Sequence, residues 1–402
     1  NLPDVRKLPP GAPYRPNLRF DELSGYLTRS MLLVPLTRMD ARVIGVLALV
    51  NRKQFPGPIT DFSLIQPFEQ EDLDLARSVA SQASVALEER RLFDSIQRLF
   101  DGFVQASVAA IESRDPSTGG HSVRVAELSQ ILARNLHLSS DPTLQSVSFT
   151  PAQLTELNYA ALLHDFGKVG VREEILKKGN RLFPEEYTAI RFRFRMIAMQ
   201  LRRAQEQGVP DAEASMQQLL SDWALIERLN HPSNVASPQE LVQLSQMRAR
   251  WLVEDHQEPL LSPKETMRLT CGFGSLDQEE RLEIERHVEH TWRFLRTIPW
   301  TDTLQQIPEI AYAHHERLDG SGYPRKLRSP QISLRSCILA VTDIFDALTA
   351  GDRPYRRGIH PDHAIGILKK EAALGKIHTG MVDLFTQHRL WESSESWVNR
   401  RQ

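Results

Sequence analysis

The chain has 402 residues, of which 25% are charged and 41% hydrophobic, a composition typical of soluble proteins with two or three domains. Its formal net charge of −2 argues against binding to a nucleic-acid polymer or to a membrane surface. Two cysteines are too few for a disulfide framework and indicate a reducing compartment, so we expect a cytoplasmic location. No apolar run reaches membrane-spanning length, and the start at Asn1 suggests a fragment of a longer protein.

The first part of the chain has the pattern of a small α/β unit followed by a long helix. Residues 30–36 and 43–50 are apolar runs separated by a charged turn, which predicts two paired strands. Few helix breakers occur between Glu71 and Arg114, which predicts one long helix or two joined end to end. Its apolar stripe favours parallel dimer packing, and the alternative is a helix that covers only its own domain. The stripe residues are Leu73, Ala76, Ala80, Ala83, Leu87, Leu92, Ile96, Leu99 and Phe103.

From Gly102 onward, apolar residues recur at helical spacing and strand-like alternation is absent, which predicts an all-α domain. Residues 180–276 differ, because their amphipathic segments are basic and Gln-rich and carry no clustered ligand residues. We interpret them as an inserted helical arm that packs on itself, leaves and returns near one point, and contributes no metal ligand. The arginines 191, 193 and 195 are expected to form a solvated face of this arm.

Five histidines and two aspartates lie in contexts that suit metal ligation. His164 and Asp165 end an apolar run, and Asp343 interrupts another, where an unpaired carboxylate would be costly without a partner or a cation. One mononuclear site needs only three or four such ligands, so the set suits two ions about 3.5–4 Å apart. Ligation by histidine and carboxylate without cysteine fits iron, manganese, nickel or zinc. The candidates are His121, His164, Asp165, His287, His314, His315 and Asp343.

Several neighbouring residues have alternative interpretations. Lys168 would place a cation beside the metals, which suits an anionic substrate such as a phosphate. His290 competes with His287 for the ligand role, since both can lie on one helix face. Asp346 is either a carboxylate bonded to nearby backbone or an arginine partner, and Asp115 either caps a turn or supports His121. The stretch that begins at Asp319 is first of all a turn.

The first 92 residues resemble the C-terminal half of a GAF domain, an α/β sensory module. The resemblance rests on the strand Ser-Met-Leu-Leu-Val-Pro-Leu, the strand Gly-Val-Leu-Ala-Leu-Val-Asn-Arg, a loop and an Ala-rich amphipathic helix. It implies a regulatory domain that binds a small-molecule ligand in some members of the family.

The later motifs resemble an HD-GYP domain, a subclass of the HD phosphohydrolase superfamily. The resemblance covers residues 110–180 and 277–358, and its motifs are residues 112–122, 164–168, 314–324 and 343–356. It implies a metal-dependent phosphodiesterase that hydrolyses the bacterial second messenger cyclic di-GMP to pGpG, with GMP as a further product.

The same resemblance assigns roles to individual residues. The seven candidates above would be the ligands of two divalent ions, iron or manganese being favoured over nickel or zinc, with Asp165 bridging. Lys168 and Asp165 would act in catalysis. The Gly-Tyr-Pro loop would lie beside the dinucleotide and the later arginines would approach its phosphates or bases. The substrate-binding residues would be Arg317, Asp319, Gly322, Tyr323, Pro324, Arg353 and Arg356.

Two departures from the family pattern shape our expectations. Ser117 stands where some members carry a glutamate for a third metal, so we favour two metals. About 120 residues separate Asp165 from His287, where the family has about thirty. We therefore predict a multidomain chain: a GAF-like domain at 1–92, a linking helix at 93–112 that forms a homodimer, and an all-α HD-type domain at 113–392 with the helical insertion at 180–276.

Two other functions remain open from the sequence. One is a receptor or scaffold of the same fold that binds metal and cyclic dinucleotide but turns over poorly; the complete ligand motifs argue against it. The other is a general HD-type nucleotide phosphohydrolase, against which the intact Gly-Tyr-Pro loop argues.

Overall fold

The structure is a computed structural model of the chain and describes residues 1–15, 17, 19–114, 119–253, 257–272, 274–350 and 358–399. It divides into two compact units, Asn1–Phe103 and Val104–Gln402. Within the described ranges, no helix combines the length and the apolar character that a membrane crossing requires.

The first unit is an α/β unit built on one antiparallel strand pair. It contains helix α1 (Arg19–Ser24), strands β1 (Met31–Thr37) and β2 (Val43–Val50), and the first part of helix α2 (Gln70–Arg114). Alternate residues of β1 point to the same face, so three of them are buried together against alanines of α2. The two predicted strands are confirmed. The buried residues are Leu32, Val34, Leu36, Ala76 and Ala80.

Helix α2 is a single helix of 45 residues, as the shortage of helix breakers indicated. Its apolar residues separate into two sets. Ala76 and Ala80 are buried within the first unit, whereas Leu92, Ile96 and Leu99 leave 55%, 67% and 75% of their surface exposed. An exposed apolar stripe of this length has no covering partner among the residues described in this chain.

The second unit is helical, and the predicted all-α fold is confirmed. Helix α3 (His121–Arg134) packs against α5 (Pro151–Leu163) and α14 (Leu334–Thr349), and α13 (Ile307–Tyr312) packs against α5 and α12 (His287–Leu295). On α3, Val125, Leu128 and Leu132 are fully buried at steps of three and four residues, which place them on one face. The helices outside the insertion are α3 (His121–Arg134), α4 (Pro142–Gln145), α5 (Pro151–Leu163), α6 (Glu173–Leu176), α11 (Gln278–Glu285), α12 (His287–Leu295), α13 (Ile307–Tyr312), α14 (Leu334–Thr349), α15 (Pro361–Ala373), α16 (Thr379–Gln387) and α17 (Glu395–Asn399).

The segment predicted as an insertion has a hydrophobic core of its own. Residues from each of its helices are buried in one cluster, including Ile190, Leu229 and Met247. It also contains a short antiparallel hairpin that the sequence pattern did not indicate. Its elements are α7 (Pro184–Glu206), α8 (Ala212–Asn230), α9 (Pro238–Arg250), β3 (Leu252–Val253), β4 (Glu258–Pro259) and α10 (Pro263–Leu269).

One expectation about the insertion is wrong. Arg193 is not on a solvated face: its side chain is buried, donates to the carbonyl oxygen of Pro259 at 3.0 Å, and pairs with Glu265 at 2.5 Å. The long guanidinium group satisfies buried acceptors across the subdomain, which the helical spacing of the neighbouring arginines could not reveal. Arg191 and Arg195 are exposed, as expected.

The insertion leaves and returns at one point, where buried polar contacts close it. Arg181 is fully buried and donates to backbone carbonyl oxygens of Leu229, Leu269, Gly272 and Gly274. The Ser275 hydroxyl donates to the carbonyl oxygen of residue 178 at 2.9 Å. One guanidinium group therefore satisfies four carbonyls from two segments of the insertion, which closes the subdomain where it begins and ends.

Replacing residues 182–274 with a short Gly/Ser linker should leave metal content unchanged. The segment packs around its own core, and its two ends already lie together. Metal per chain, measured by mass spectrometry after loading, should equal that of the full chain loaded in parallel. A deletion protein with native helical circular dichroism that no longer holds metal would contradict the prediction, and the assignment of His287 would then be discarded first.

Candidate metal centre

The His164–Asp165 pair is positioned by the end of helix α5. That helix starts with a capping box between Thr150 and Gln153 and stops at Leu163, after which residues 166–170 form a 3-10 turn. Both side chains are buried, with 0% of His164 and 4% of Asp165 exposed. The apolar run that predicted a buried helix therefore carries its terminal imidazole and carboxylate into the interior.

Five parts of the second unit bring all seven predicted ligand residues together. Their donor atoms form three overlapping groups, within each of which the atoms lie no more than 4.8 Å apart. The helix starts of α3 and α12 supply His121 and His287, and the end of α13 leads into the adjacent pair of histidines. The groups are His121, His164 and Asp343; His164, Asp165 and His314; and His287, His314 and His315.

Three of the histidines present an unpaired nitrogen to this cluster. The Nδ1 atoms of His164, His287 and His314 contact the carbonyl oxygens three residues earlier, at 2.7, 2.5 and 2.6 Å. A carbonyl can only accept, so each Nδ1 carries the proton and each Nε2 keeps its lone pair. These Nε2 atoms are buried and have no hydrogen-bond partner. Leaving them so is costly, whereas bound metal ions would accept these lone pairs.

Asp165 lies between two sets of imidazoles. Its Oδ2 atom is 3.5 Å from Nε2 of His164 and 3.8 Å from Nε2 of His121. Its Oδ1 atom is 3.2 Å from Nε2 of His287. The two oxygens of one carboxylate therefore face different histidines, which is the arrangement that a bridging ligand requires.

His121 is oriented by a second carboxylate that the sequence left ambiguous. Nδ1 of His121 lies 2.7 Å from Oδ2 of Asp346, and its Nε2 lies 3.2 Å from Oδ1 of Asp343. Arg124 donates to both oxygens of Asp346 at 2.7 and 3.0 Å. Asp346 is thus the arginine partner that we considered, and it also supports a ligand through the far side of the ring.

The charges around the cluster favour ionised carboxylates, and they shift the pKa values of His121 and His314 in opposite directions. Burial opposes ionisation of Asp165, but Lys168, whose Nζ is 2.8 Å away, and His164 hold its pKa well below the usual value. Burial and the neighbouring His164 lower the pKa of His314 to about 3. Burial also lowers the pKa of His121, but its bonds to Asp343 and Asp346 outweigh this effect and raise it to about 9. The ionised Asp165 and the neutral His314 are in the protonation states that metal binding needs.

The Gly-Tyr-Pro loop packs beside the cluster. The ring centroids of Tyr323 and His315 are 4.8 Å apart, and the backbone N–H of Tyr323 donates to the carbonyl of His315 at 3.2 Å. Glu316 is buried and accepts from the backbone N–H groups of Arg325 and Leu327, which holds the loop just after Pro324. A side chain at Gly322 would place its Cβ 2.4 Å from the backbone nitrogen of Arg317, so the close approach requires glycine.

The other residues that the sequence singled out fall into three groups: a turn residue, a histidine outside the ligand groups, and residues that the structure does not describe. Asp319 is exposed and accepts from the amide and hydroxyl of Ser321, which makes it a turn residue in the structure. His290 belongs to none of the three ligand groups; its Nδ1 packs against Gly170, whereas His287 faces Asp165. Ser117, Asp115, Arg353 and Arg356 lie outside the described residues.

Sequence reasoning missed the residues that support the ligands from behind. Glu316 lies within a predicted motif, but its bonds to the loop amides were not anticipated. Arg124 is one turn after His121, and Thr291 is one turn after His287, so helical spacing from each proposed ligand could have found both.

Comparison with known protein families agrees with this geometry. A GAF domain model matches residues 12–89, and two HD domain models match residues 118–271 and 260–378. The chain therefore contains an HD domain region with a GAF domain region ahead of it, which confirms the recognition made from the motifs. HD domains bind divalent metal ions, and the buried donor set fits such ions.

Several characterised relatives are phosphodiesterases of Vibrio cholerae. The 3′3′-cGAMP-specific phosphodiesterase 3 is 25% identical over 303 residues, which cover 72% of this chain and 42% of that protein. The 3′3′-cGAMP-specific phosphodiesterase 1 is 36% identical over 115 residues, covering 29% and 26%. A cyclic di-GMP phosphodiesterase is 23% identical over 349 residues, covering 86% and 50%. The chain thus spans half or less of the length of these relatives.

Among solved structures, a HDG"Y"P protein from Bdellovibrio bacteriovorus matches 63% of this chain and 76% of its own chain, with 14% identity and a TM-score of 0.24.

Changing Asp346 to Asn should weaken metal binding by about 10–100-fold. The amide keeps the shape of the side chain but not the charge that orients and polarises His121. Isothermal titration of the metal-free chain with Mn²⁺ measures the effect. Asp222→Asn is the matched control, because that carboxylate is equally buried but bonds Trp251 within the insertion. Equal affinities for Asp346→Asn and the wild type would exclude the supporting role.

Proposed function

We propose that the chain is a metal-dependent phosphodiesterase that hydrolyses cyclic di-GMP at a two-metal site. The observation that carries this proposal is the position of Asp165 between two sets of buried imidazoles with unpaired nitrogens. Two ions bridged in this way are a recurrent arrangement in enzymes that cleave phosphate esters. The names of the relatives support the phosphodiester class of substrate.

The proposed ligands divide between the two ions. One ion would be held by His121, His164 and Asp343, and the other by His287, His314 and His315, with Asp165 shared. The donor set contains imidazole and carboxylate groups only, which suits iron or manganese and also accommodates nickel or zinc.

When bound, two divalent ions supply an acidified water nucleophile and neutralise charge on the phosphate. The chain's own residues would then stabilise charge on the phosphate and bind the rest of the dinucleotide. Lys168, with 17% of its side chain exposed, holds a positive charge next to Asp165 where non-bridging phosphate oxygens gain charge in the transition state. The loop at residues 322–324 and the side chain of Arg317 would contact the dinucleotide, as would Asp319 and the arginines at 353 and 356. The first product would be pGpG, and a second cleavage would yield GMP.

A second substrate is favoured by a specific finding. Several relatives are named for 3′3′-cGAMP rather than for cyclic di-GMP. This cyclic dinucleotide differs from cyclic di-GMP in one base and presents the same phosphodiester groups to the metals, so the choice between them depends on base contacts outside the metal centre.

The direct test is turnover by the metal-loaded full chain. Cyclic di-GMP, 3′3′-cGAMP and cyclic di-AMP are incubated with equal enzyme, and linear products are quantified by chromatography. We expect metal-dependent formation of pGpG that chelation abolishes. Preferred cleavage of 3′3′-cGAMP would select the second substrate. Tight binding of cyclic di-GMP by the metal-loaded protein without turnover would instead identify a receptor, and the phosphodiesterase proposal would be rejected.

Two substitutions separate the roles of neighbouring residues. Asp165→Ala should abolish metal binding and activity together because it removes the shared carboxylate. Lys168→Ala should keep both ions and lower kcat by roughly 10²-fold, the usual cost of one transition-state charge contact. Metal analysis beside steady-state kinetics tests both. Retention of two ions and normal turnover in Asp165→Ala, or metal loss in Lys168→Ala, would contradict these assignments.

We also propose that the chain forms a homodimer through α2 and that a small-molecule ligand of the GAF domain regulates it. The exposed residues Leu92, Ile96, Leu99 and Phe103 follow one another at steps of four, three and four. This is the spacing of the apolar seam of a parallel coiled coil.

Leu99→Glu should convert the dimer into a monomer, because it buries a charge in the proposed seam. Light scattering at micromolar concentration gives the mass. Arg91→Glu is the control, since that exposed position lies beside the seam rather than in it. A wild-type chain that is monomeric across this range would refute the dimer.

A further inference from the structure

We infer that Thr291 is a positioning residue that holds His287 in register with the His164–Asp165 turn. This inference rests on the two-metal site proposed above. It concerns how one ligand is kept in place across the insertion, since the sequence separates Asp165 from His287 by more than a hundred residues. Contacts along the chain cannot set that distance, so direct contacts between the two segments must do so.

The Thr291 hydroxyl joins the two segments through both of its hydrogen-bonding functions. It accepts from the backbone N–H of Gly167 at 2.8 Å and donates to the carbonyl oxygen of His164 at 3.0 Å. Thr291 is fully buried, so no water replaces these bonds. The carbonyl at the end of a helix has no partner within that helix, and the hydroxyl supplies one at the residue that carries a ligand.

The backbones at this contact are as close as they can be. A Cβ at Gly167 would lie 1.9 Å from the carbonyl oxygen of His287 and 2.5 Å from the nitrogen of Thr291. The turn after Asp165 therefore rests directly on the first turn of α12. Glycine permits this approach, and the hydroxyl fixes where along α12 the turn sits.

The consequence differs for the two proposed ions. The group of His121, His164 and Asp343 contains no residue of α12. The group of His287, His314 and His315 depends on α12 for His287, whose Nε2 stands 3.2 Å from Asp165. Loss of the Thr291 hydroxyl should therefore weaken the second ion selectively, because His287 is the ligand that α12 carries, whereas His164 keeps its place at the end of α5 beside Asp165.

The test is titration of the metal-free full chain with Mn²⁺ in variants that differ by one hydroxyl. Valine has nearly the volume of threonine but cannot form either bond. We expect Thr291→Val to weaken one of two binding steps by about 10–100-fold and to leave the other unchanged, and Thr291→Ser to restore both. Thr266→Val is the matched control, since that hydroxyl bonds a helix carbonyl within the insertion.

The possible outcomes distinguish a failure of the Thr291 inference from a failure of the two-metal proposal on which it rests. A wild-type chain that binds no pair of Mn²⁺ ions refutes the two-metal site itself. If the wild type binds Mn²⁺ in two steps and Thr291→Val shows the same two affinities, only the role of Thr291 is overturned. Equal weakening of both steps, in parallel with the melting temperature of the metal-free protein, would show a general structural role and also overturn it. If Thr291→Val does not fold, Thr291→Ala replaces it with the same expected result.

Discussion

The organisation of the second unit depends on buried histidine Nε2 lone pairs that have no hydrogen-bond partner among the described residues. In three histidines the Nδ1 atom contacts a carbonyl oxygen of the same helical turn, and the Nε2 atom faces the ligand cluster. They are His164, His287 and His314. Such nitrogens destabilise the folded chain unless a cation shares them. The stability of this centre is therefore coupled to metal, and its geometry is prepared by backbone contacts before any ion arrives.

Around these imidazoles, further contacts from other helices and loops support the site. Asp346 and Arg124 connect α14 to α3 behind His121, and Thr291 connects α12 to the end of α5. Glu316 holds the loop that packs on His315. Because these partners cross between elements, the ligand positions are fixed by the packing of the whole helical unit. The insertion can add a folded subdomain within the sequence without entering the donor set.

Much of this could be predicted from the sequence, because the information is local. Helical periodicity predicted one long helix or two joined end to end where α2 lies, and the HD and Gly-Tyr-Pro motifs predicted a donor set that the structure brings together. The identity of Asp346's partners and the role of Thr291 could not be predicted, because they depend on which helix faces which after folding. The buried state of Arg193 was missed for a similar reason: exposed and buried arginines have the same local pattern. The short antiparallel strand pair at residues 252–253 and 258–259 is too brief for alternation to indicate it.

The central claim is that Asp165 is shared between two ions, each held by its own set of imidazoles. The most direct measurement is anomalous diffraction from crystals of the metal-loaded chain, recorded at the absorption edge of the bound metal. The account predicts two peaks about 3.5–4 Å apart, with one oxygen of Asp165 directed to each. A single peak, a third peak within the cluster, or two peaks that Asp165 does not join would contradict it.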